Sequence, residues 1–207
     1  MYPIVGEDWR ANPEQRATLI RVVEEINAQD GQTLAVSIEL GGMLVVAGDA
    51  AGLDAFEAAV PKVQGRFPFR LPNHSAFHTA LQHPVAARGR ELLNEALFDV
   101  SSTPMVDGRG VVWYPQSYSA EALHAYTLGA QVTETYDFTS AIRVAARTFA
   151  PDVFVVLGPG DTLGGAVVQS LIAIDWQGLD SKQAFQARQK EAPVILSMGR
   201  ETDRVRQ

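Results

Sequence analysis

The chain has 207 residues, 46% of them hydrophobic and 20% charged, a composition typical of soluble globular proteins with one large domain or two small ones. Its formal net charge of −7 argues against a DNA or RNA partner, because nucleic-acid affinity depends mainly on clustered Lys and Arg. The absence of cysteine excludes disulfides and thiolate chemistry and is consistent with the cytoplasm.

The first seventy residues predict the order strand, helix, strand, strand, helix, strand. Asn12 and Pro13 supply a helix start signal, and the segments TLAVSIEL and MLVVAG flank the pair Gly41–Gly42, which is typical of a β-hairpin. A second helix in DAAGLDAFEAAV and an extended RFPFR complete the ferredoxin-like pattern. Pro68 and Pro72 are expected to keep the last run at a sheet edge or to lead it out of the sheet.

The remainder of the chain predicts alternating helices and strands. Helices are expected at 79–97, 119–129, 137–149 and 162–174, and short strands at TPMV and VVWY. The apolar run VFVVL at 153–157 predicts a parallel strand buried on both faces, for which the chain offers few neighbouring strands. The polar tail after Trp176 is expected to wrap the surface or fray. No apolar run approaches the roughly 18 residues of a membrane-spanning helix, so no membrane partner is expected.

Three of the four histidines, His74, His78 and His83, lie close together in the sequence. His74 and His78 stand four apart, as zinc ligands on a helix do, but no acidic residue nearby supplies a third ligand. His74 and His83 are interpreted as surface residues beside a helix start. His78 follows a proline-marked extended segment and precedes a helix, a place from which an imidazole can project into a cleft as a general base.

Two further segments carry possible chemistry. Ser75 in NHSAF superficially resembles a nucleophile elbow, but Asn73 and Phe77 occupy the positions where the elbow needs glycine. In VFVVLGPGDTLGG the glycine spacing departs from the dinucleotide fingerprint, so Gly158 and Gly160 are interpreted mainly as residues of a tight turn. Phosphate binding at the helix after this turn is the alternative.

Four segments, in order, resemble the malonyl-CoA:acyl-carrier-protein transacylases: MLVVAG, AFHTALQHPVA, YDFTSAIRVAA and VFVVLGPGDTLGGAV. The segment AFH is similar to the histidine motif of that family, and LGPG to its late glycine turn. The resemblance implies that His78 is the catalytic base and that Phe77 shapes the acyl pocket in favour of malonyl. Asp137 is the nearest match to the residue whose main-chain carbonyl steadies the imidazole, and Gly158 and Gly160 support the site.

The family's G-H-S-x-G nucleophile, its malonyl-binding arginine and its oxyanion-hole glutamine have no match in this sequence. The chain therefore resembles a carboxyl-terminal portion, with a ferredoxin-like subdomain at 1–70 and part of an α/β-hydrolase-like acyltransferase subdomain at 71–207. The implied activity moves malonyl from malonyl-CoA to the thiol of acyl carrier protein in fatty acid or polyketide synthesis. No metal or redox cofactor is implied, and the missing half is an expected partner.

Two consequences follow for the chain taken alone. Because it has neither cysteine nor a serine in an elbow, it is expected not to form an acyl-enzyme. It is also expected to be poorly stable, because VFVVL would present apolar faces and an unpaired strand edge to water. The alternative function is a non-catalytic remnant or binding module that engages acyl carrier protein or a partner chain.

Overall fold

The computed structural model describes residues 1–72 and 74–204. The helices in these ranges are α1 Pro13–Asn27, α2 Ala50–Ala59, α3 His83–Leu92, α4 Ala120–Thr127, α5 Ala130–Thr133, α6 Phe138–Phe149, α7 Leu163–Ile172, α8 Lys182–Glu191 and α9 Glu201–Arg204. The strands are β1 Tyr2–Pro3, β2 Leu34–Leu40, β3 Met43–Gly48, β4 Met105–Val106, β5 Val112–Trp113, β6 Tyr136–Asp137, β7 Phe154–Val156 and β8 Ile195–Ser197. The predicted mixed α/β class is confirmed.

The first sheet has the strand order β1-β3-β2-β6. The β2–β3 hairpin turns at Gly41, whose φ of +61° and close approach to the backbone of Ala166 leave no room for a side chain. Asn12 caps α1 by accepting a hydrogen bond from the main-chain nitrogen of Gln15. The predicted order from β1 to α2 is therefore confirmed.

Helices α1 and α2 cover one face of this sheet. The core between them is apolar, and its largest fully buried members include Tyr2, Phe56, Leu34 and Leu44. On β3, Leu44 and Val46 belong to this core, whereas Val45 and Ala47, which alternate with them, do not. This alternation is the one expected for a strand with two different faces.

The predicted last strand of the ferredoxin-like pattern is wrong, because RFPFR forms no strand. Met1 and Phe69 exchange two main-chain hydrogen bonds of 2.8 and 3.0 Å, so the segment touches the sheet edge at a single point. Pro68 lacks a donor, which limits further pairing there. On the opposite edge, β6 pairs in parallel with β2, so the first sheet includes two residues from beyond position 70. The division at 70 stays a prediction.

The second apolar core lies between α6, α7 and the carboxyl-terminal segment. Strand β7 pairs in parallel with β8, and the amide of Gln189 holds the start of β8 by bonding Val194 and Ile195. Of the two alternatives predicted for the tail, wrapping or fraying, fraying is wrong for residues 182–204, because α8, β8 and α9 are built from them. No helix of the described residues combines the length and apolarity that crossing a bilayer needs.

The prediction that VFVVL is buried on both faces is also wrong for this chain. Within the described ranges β7 has one neighbouring strand, β8. Val155 is 46% exposed and Leu157 80% exposed. An apolar strand of this kind with an unpaired edge is a surface on which another chain can pack.

We predict that Leu44→Ala lowers the free energy of unfolding by about 2–5 kcal/mol, because Leu44 is fully buried between sheet and helices. Leu157→Ala is the matched control: it removes the same atoms from an exposed side chain and should change stability by less than about 0.5 kcal/mol. Urea unfolding followed by circular dichroism measures both. Equal losses in the two variants would contradict the placement of Leu44 in the core.

Candidate active site

A cleft of about 430 Å³ lies between β2 and β3 of the first sheet, α2 and the chain that follows them. Its walls come from β2, β3, α2 and residues 68–71 and 74–78, and both Phe77 and His78 line it. His74 and Ser75 line it as well, whereas His83 begins α3 at the surface. His74 and His83 are both exposed, so the interpretation of these two histidines as surface residues is confirmed, although His74 also borders the cleft.

His78 is partly buried and held from two directions. Its main-chain nitrogen donates to the carbonyl of Val132 at 2.8 Å, and its Nδ1 lies 2.5 Å from the carbonyl oxygen of Gln131. Since a carbonyl oxygen can only accept, Nδ1 carries the hydrogen and Nε2 of the neutral ring keeps its lone pair. Within residues 1–72 and 74–204, no hydrogen bond engages Nε2.

The backbone of His78 has a φ of +61°, in the left-handed region that non-glycine residues seldom occupy. The turn is held by local bonds: Phe77 N–H donates to the Ser75 carbonyl at 2.8 Å, and the buried Thr79 hydroxyl donates to the Ala76 carbonyl at 2.7 Å. Such a conformation persists where the surroundings fix it, and it is common in active sites. Asn73, one of the two elbow positions, lies outside the described residues.

Asp137 does not supply the carbonyl that steadies the imidazole, so that assignment is wrong. The carbonyl belongs to Gln131, in the short helix α5, which the sequence did not predict. Asp137 instead caps α6, its carboxylate accepting from the main-chain nitrogen and the hydroxyl of Ser140 at 2.8 and 2.6 Å. A four-residue helix is too short to show the periodicity of apolar residues that predicts a helix, so α5 was not predicted.

Tyr136 connects His78 to the β4–β5 hairpin. Its ring lies 5.3 Å from the imidazole, centroid to centroid, and its other side packs so closely on the backbone of Gly108 that a side chain there would overlap it. Burial, with a smaller contribution from the charge of Asp107, raises the pKa of Tyr136, which keeps the phenol neutral. The ring therefore acts as an uncharged wall beside the imidazole.

Asp107 holds this hairpin together from a position only 6% exposed. Its carboxylate accepts hydrogen bonds from the guanidinium of Arg109, the indole of Trp113 at 2.9 Å and the main-chain nitrogens of Arg109 and Val111. Burial by itself would raise the pKa of Asp107, but these hydrogen bonds outweigh it and the pKa is lowered. No motif or periodicity predicted this cluster, because its partners are brought together only by the turn.

Gly158 and Gly160 lie outside the cleft, in the turn between β7 and α7. Their φ angles of +102° and +78° confirm the tight turn. Gly199 packs against the backbone of Gly160, and Arg200 pairs with Asp161 at 2.6 Å, so the carboxyl-terminal segment covers this turn. The structure does not bring these glycines to His78.

The fold of the described residues is similar to that of solved acyltransferase structures. Solved structures with this fold are malonyl-CoA:acyl carrier protein transacylases. The enzyme from Xanthomonas oryzae has 18% identity and a TM-score of 0.62, over 98% of this chain and 54% of its own. The Burkholderia pseudomallei S-malonyltransferase has 18% identity and a TM-score of 0.61, over 90% and 53%.

A third similar structure is a malonyl-transacylase in complex with the acyl carrier protein of a type II polyketide synthase, at 22% identity and a TM-score of 0.57 over 83% of this chain. No protein-family model matches the sequence, and no curated protein is significantly similar to it. The chain has the fold of these transacylases and spans about half the length of each.

We predict that Asp107→Asn lowers the free energy of unfolding at pH 7 by roughly 1.5–3 kcal/mol, because it removes charge-assisted hydrogen bonds. The pKa of Asp107 is lower folded than unfolded, so its stabilisation is present above the usual carboxyl pKa of about 3.9 and is lost as the pH falls below that value. The difference between wild type and variant should therefore shrink below about pH 4.

The control is Asp54→Asn, which removes an exposed carboxylate paired with Arg70 and should cost at most about 1 kcal/mol. Urea unfolding from pH 3 to pH 7 measures each difference. A wild-type advantage over Asp107→Asn that stays constant with pH would contradict the role of the ionised carboxylate.

Proposed function

We propose that this chain carries the catalytic base of an acyltransferase that moves malonyl from malonyl-CoA to acyl carrier protein. The observation that supports this is the imidazole of His78, which lines the cleft and donates through Nδ1 to Gln131, while Nε2 takes part in no hydrogen bond among the described residues. A base held in one tautomer with its other nitrogen accessible is what proton transfer to and from a nucleophile needs. The nucleophilic serine comes from a portion of the fold that this sequence does not contain.

In the first half-reaction, Nε2 of His78 takes the proton of the serine hydroxyl while the serine oxygen attacks the thioester carbonyl of malonyl-CoA. The tetrahedral intermediate collapses, the carbon–sulfur bond breaks, and the coenzyme A thiol leaves with the proton from the imidazolium. In the second, Nε2 takes the proton of the carrier-protein thiol, which attacks the acyl-serine ester. The serine oxygen leaves and recovers that proton.

Phe77 is proposed to limit the size of the acyl group. Its side chain is 42% exposed, lines the cleft and precedes His78 directly in the chain. A ring in this position leaves little room for a methyl group on the α-carbon beside the reacting carbonyl. The preference for malonyl over methylmalonyl therefore depends on this aromatic side chain.

The apolar surface of β7 favours a second candidate function, the binding of a partner chain without turnover. Val155 and Leu157 are exposed, and in the part of the chain that the structure describes the strand has β8 alone as its neighbour. A surface of this kind suits association with another polypeptide. The two candidates differ in one measurable property, the covalent transfer of malonyl.

We predict that the isolated chain gives no covalent label with radioactive malonyl-CoA, because it lacks an activated nucleophile. Joined to, or mixed with, the polypeptide that bears the serine, it should transfer malonyl to acyl carrier protein. In that assembly His78→Ala should lower the rate by a factor of roughly 10² to 10⁴, through loss of the base. Denaturing gel filtration and transfer kinetics are the measurements.

His83→Ala is the matched control, since it removes a surface imidazole outside the cleft and should leave the rate unchanged. Stoichiometric label on the isolated chain would overturn the proposal and direct attention to Ser75. Stable assembly without any transfer would favour the binding module. An undiminished rate in His78→Ala would exclude this imidazole as the base.

We also predict that Phe77→Ser, in the same assembly, raises the rate with methylmalonyl-CoA relative to malonyl-CoA. The change should correspond to about 1–3 kcal/mol, roughly 10- to 200-fold, because one methyl group in an apolar pocket contributes that much discrimination. Competition between the two substrates measures the ratio of kcat/KM. Phe69→Ser, at a second aromatic residue of the cleft wall, tests whether any loss of apolar lining has the same effect. An unchanged ratio in Phe77→Ser would refute the pocket assignment.

A further inference from the structure

Ser37 is a buried hydroxyl residue in the middle of strand β2, with only 4% of its surface exposed. The pairing of β2 with β3 shifts at this residue: Val36 pairs with Val46, and Ile38 pairs with Val45. Ser37 therefore has no cross-strand partner of its own. An extra residue in one strand is a β-bulge, which redirects the side chain and recurs next to active sites.

The hydroxyl of Ser37 donates a 2.8 Å hydrogen bond to the carbonyl oxygen of Phe77, which lies outside the sheet. That carbonyl belongs to the peptide group that joins Phe77 to His78. Rotation of this peptide would change the φ of His78, which is held at the uncommon value of +61°. A hydrogen bond from a rigid strand to this carbonyl resists that rotation.

The same stretch of β2 also holds the aromatic ring that lies beside the imidazole. Directly after the bulge, Ile38 pairs in parallel with Tyr136, whose ring packs against His78. The carbonyl of Val36, directly before the bulge, accepts a 2.8 Å hydrogen bond from the hydroxyl of Thr135. One short strand segment thus fixes both the turn that carries the histidine and the aromatic ring beside it.

We propose that Ser37 is a positioning residue that keeps the Nδ1 of His78 on the Gln131 carbonyl by anchoring the Phe77–His78 peptide. Ser37 acts through the backbone and is assigned no contact with substrate. Only the predicted effect of Ser37 on the rate of malonyl transfer rests on the proposed function. Its structural consequence, the tautomer of His78, can be measured in the chain without any turnover.

The first measurement is nitrogen-15 NMR of the histidine rings in the 207-residue chain, with the His78 signal identified by its loss in His78→Ala. Wild type should give the pattern of the Nδ1–H tautomer. Ser37→Ala should give a mixture of tautomers, because the imidazole no longer stays on the Gln131 carbonyl. Ser37→Thr, which retains the hydroxyl, should restore the wild-type pattern.

Ser170→Ala is the matched control. Ser170 is fully buried, and its hydroxyl also donates to a carbonyl at 2.8 Å, but it lies in α7 and lines no part of the cleft. The two alanine variants should lose similar stability in urea unfolding, while the tautomer changes in Ser37→Ala alone. If Ser37→Ala does not fold, Ser37→Cys, with a similar shape and a weaker donor, takes its place.

The second measurement is malonyl transfer in the complete assembly. Ser37→Ala should lower kcat by roughly 10- to 100-fold with little change in KM, since a misplaced base slows chemistry without removing substrate contacts. An unchanged His78 tautomer and kcat in Ser37→Ala would overturn the inference. So would an equal effect of Ser170→Ala. If the assembly transfers no malonyl, the proposed function fails, and the tautomer still decides the role of Ser37.

Discussion

Strand β2 pairs on both edges, antiparallel with β3 and parallel with β6, and this double pairing joins the amino-terminal sheet to the segment that orients His78. Side chains reinforce the junction where the strand ends. The hydroxyl of Thr139 lies within hydrogen-bonding distance of the Glu39 carbonyl and of the Gly41 nitrogen, and Gln169 accepts from the Gly42 nitrogen. The hairpin thus contacts α6 and α7 through its turn.

The orientation of His78 depends mainly on backbone carbonyls. Gln131 accepts from the ring, Val132 accepts from the main-chain nitrogen, and Phe77 receives the hydroxyl of Ser37. A carbonyl oxygen never donates, so it selects the Nδ1–H tautomer more strictly than a hydroxyl group would. Because two of these carbonyls belong to α5 and the third to the turn before His78, their relative positions depend on the backbone and on few side-chain identities.

The elements with strong local signals could be predicted from the sequence, and the long-range contacts could not. The Asn12 cap, the β2–β3 hairpin, α2, α6 and α7 follow from caps, glycines and periodicity, and the confirmed fold class follows from their order. The segment AFH and the helix after it identified His78 as the candidate catalytic base. The carbonyl of Gln131, the bulge at Ser37 and strands β6 and β8 were missed, because two- or three-residue strands have no readable period and their pairing is set by tertiary contacts.

Under the proposed function, this chain supplies the base and another portion of the fold supplies the serine. The hydrogen bonds that orient His78 all come from residues of this chain, so the imidazole is oriented before any partner binds. Because the His78 side chain is already ordered, association with the serine-bearing portion has a lower entropic cost. The apolar surface around β7 supplies the driving force, since Val155 and Leu157 lose water when another strand or helix covers them. Assembly brings the serine to a base that already has its working tautomer, and the remaining requirement is the distance between the hydroxyl and Nε2.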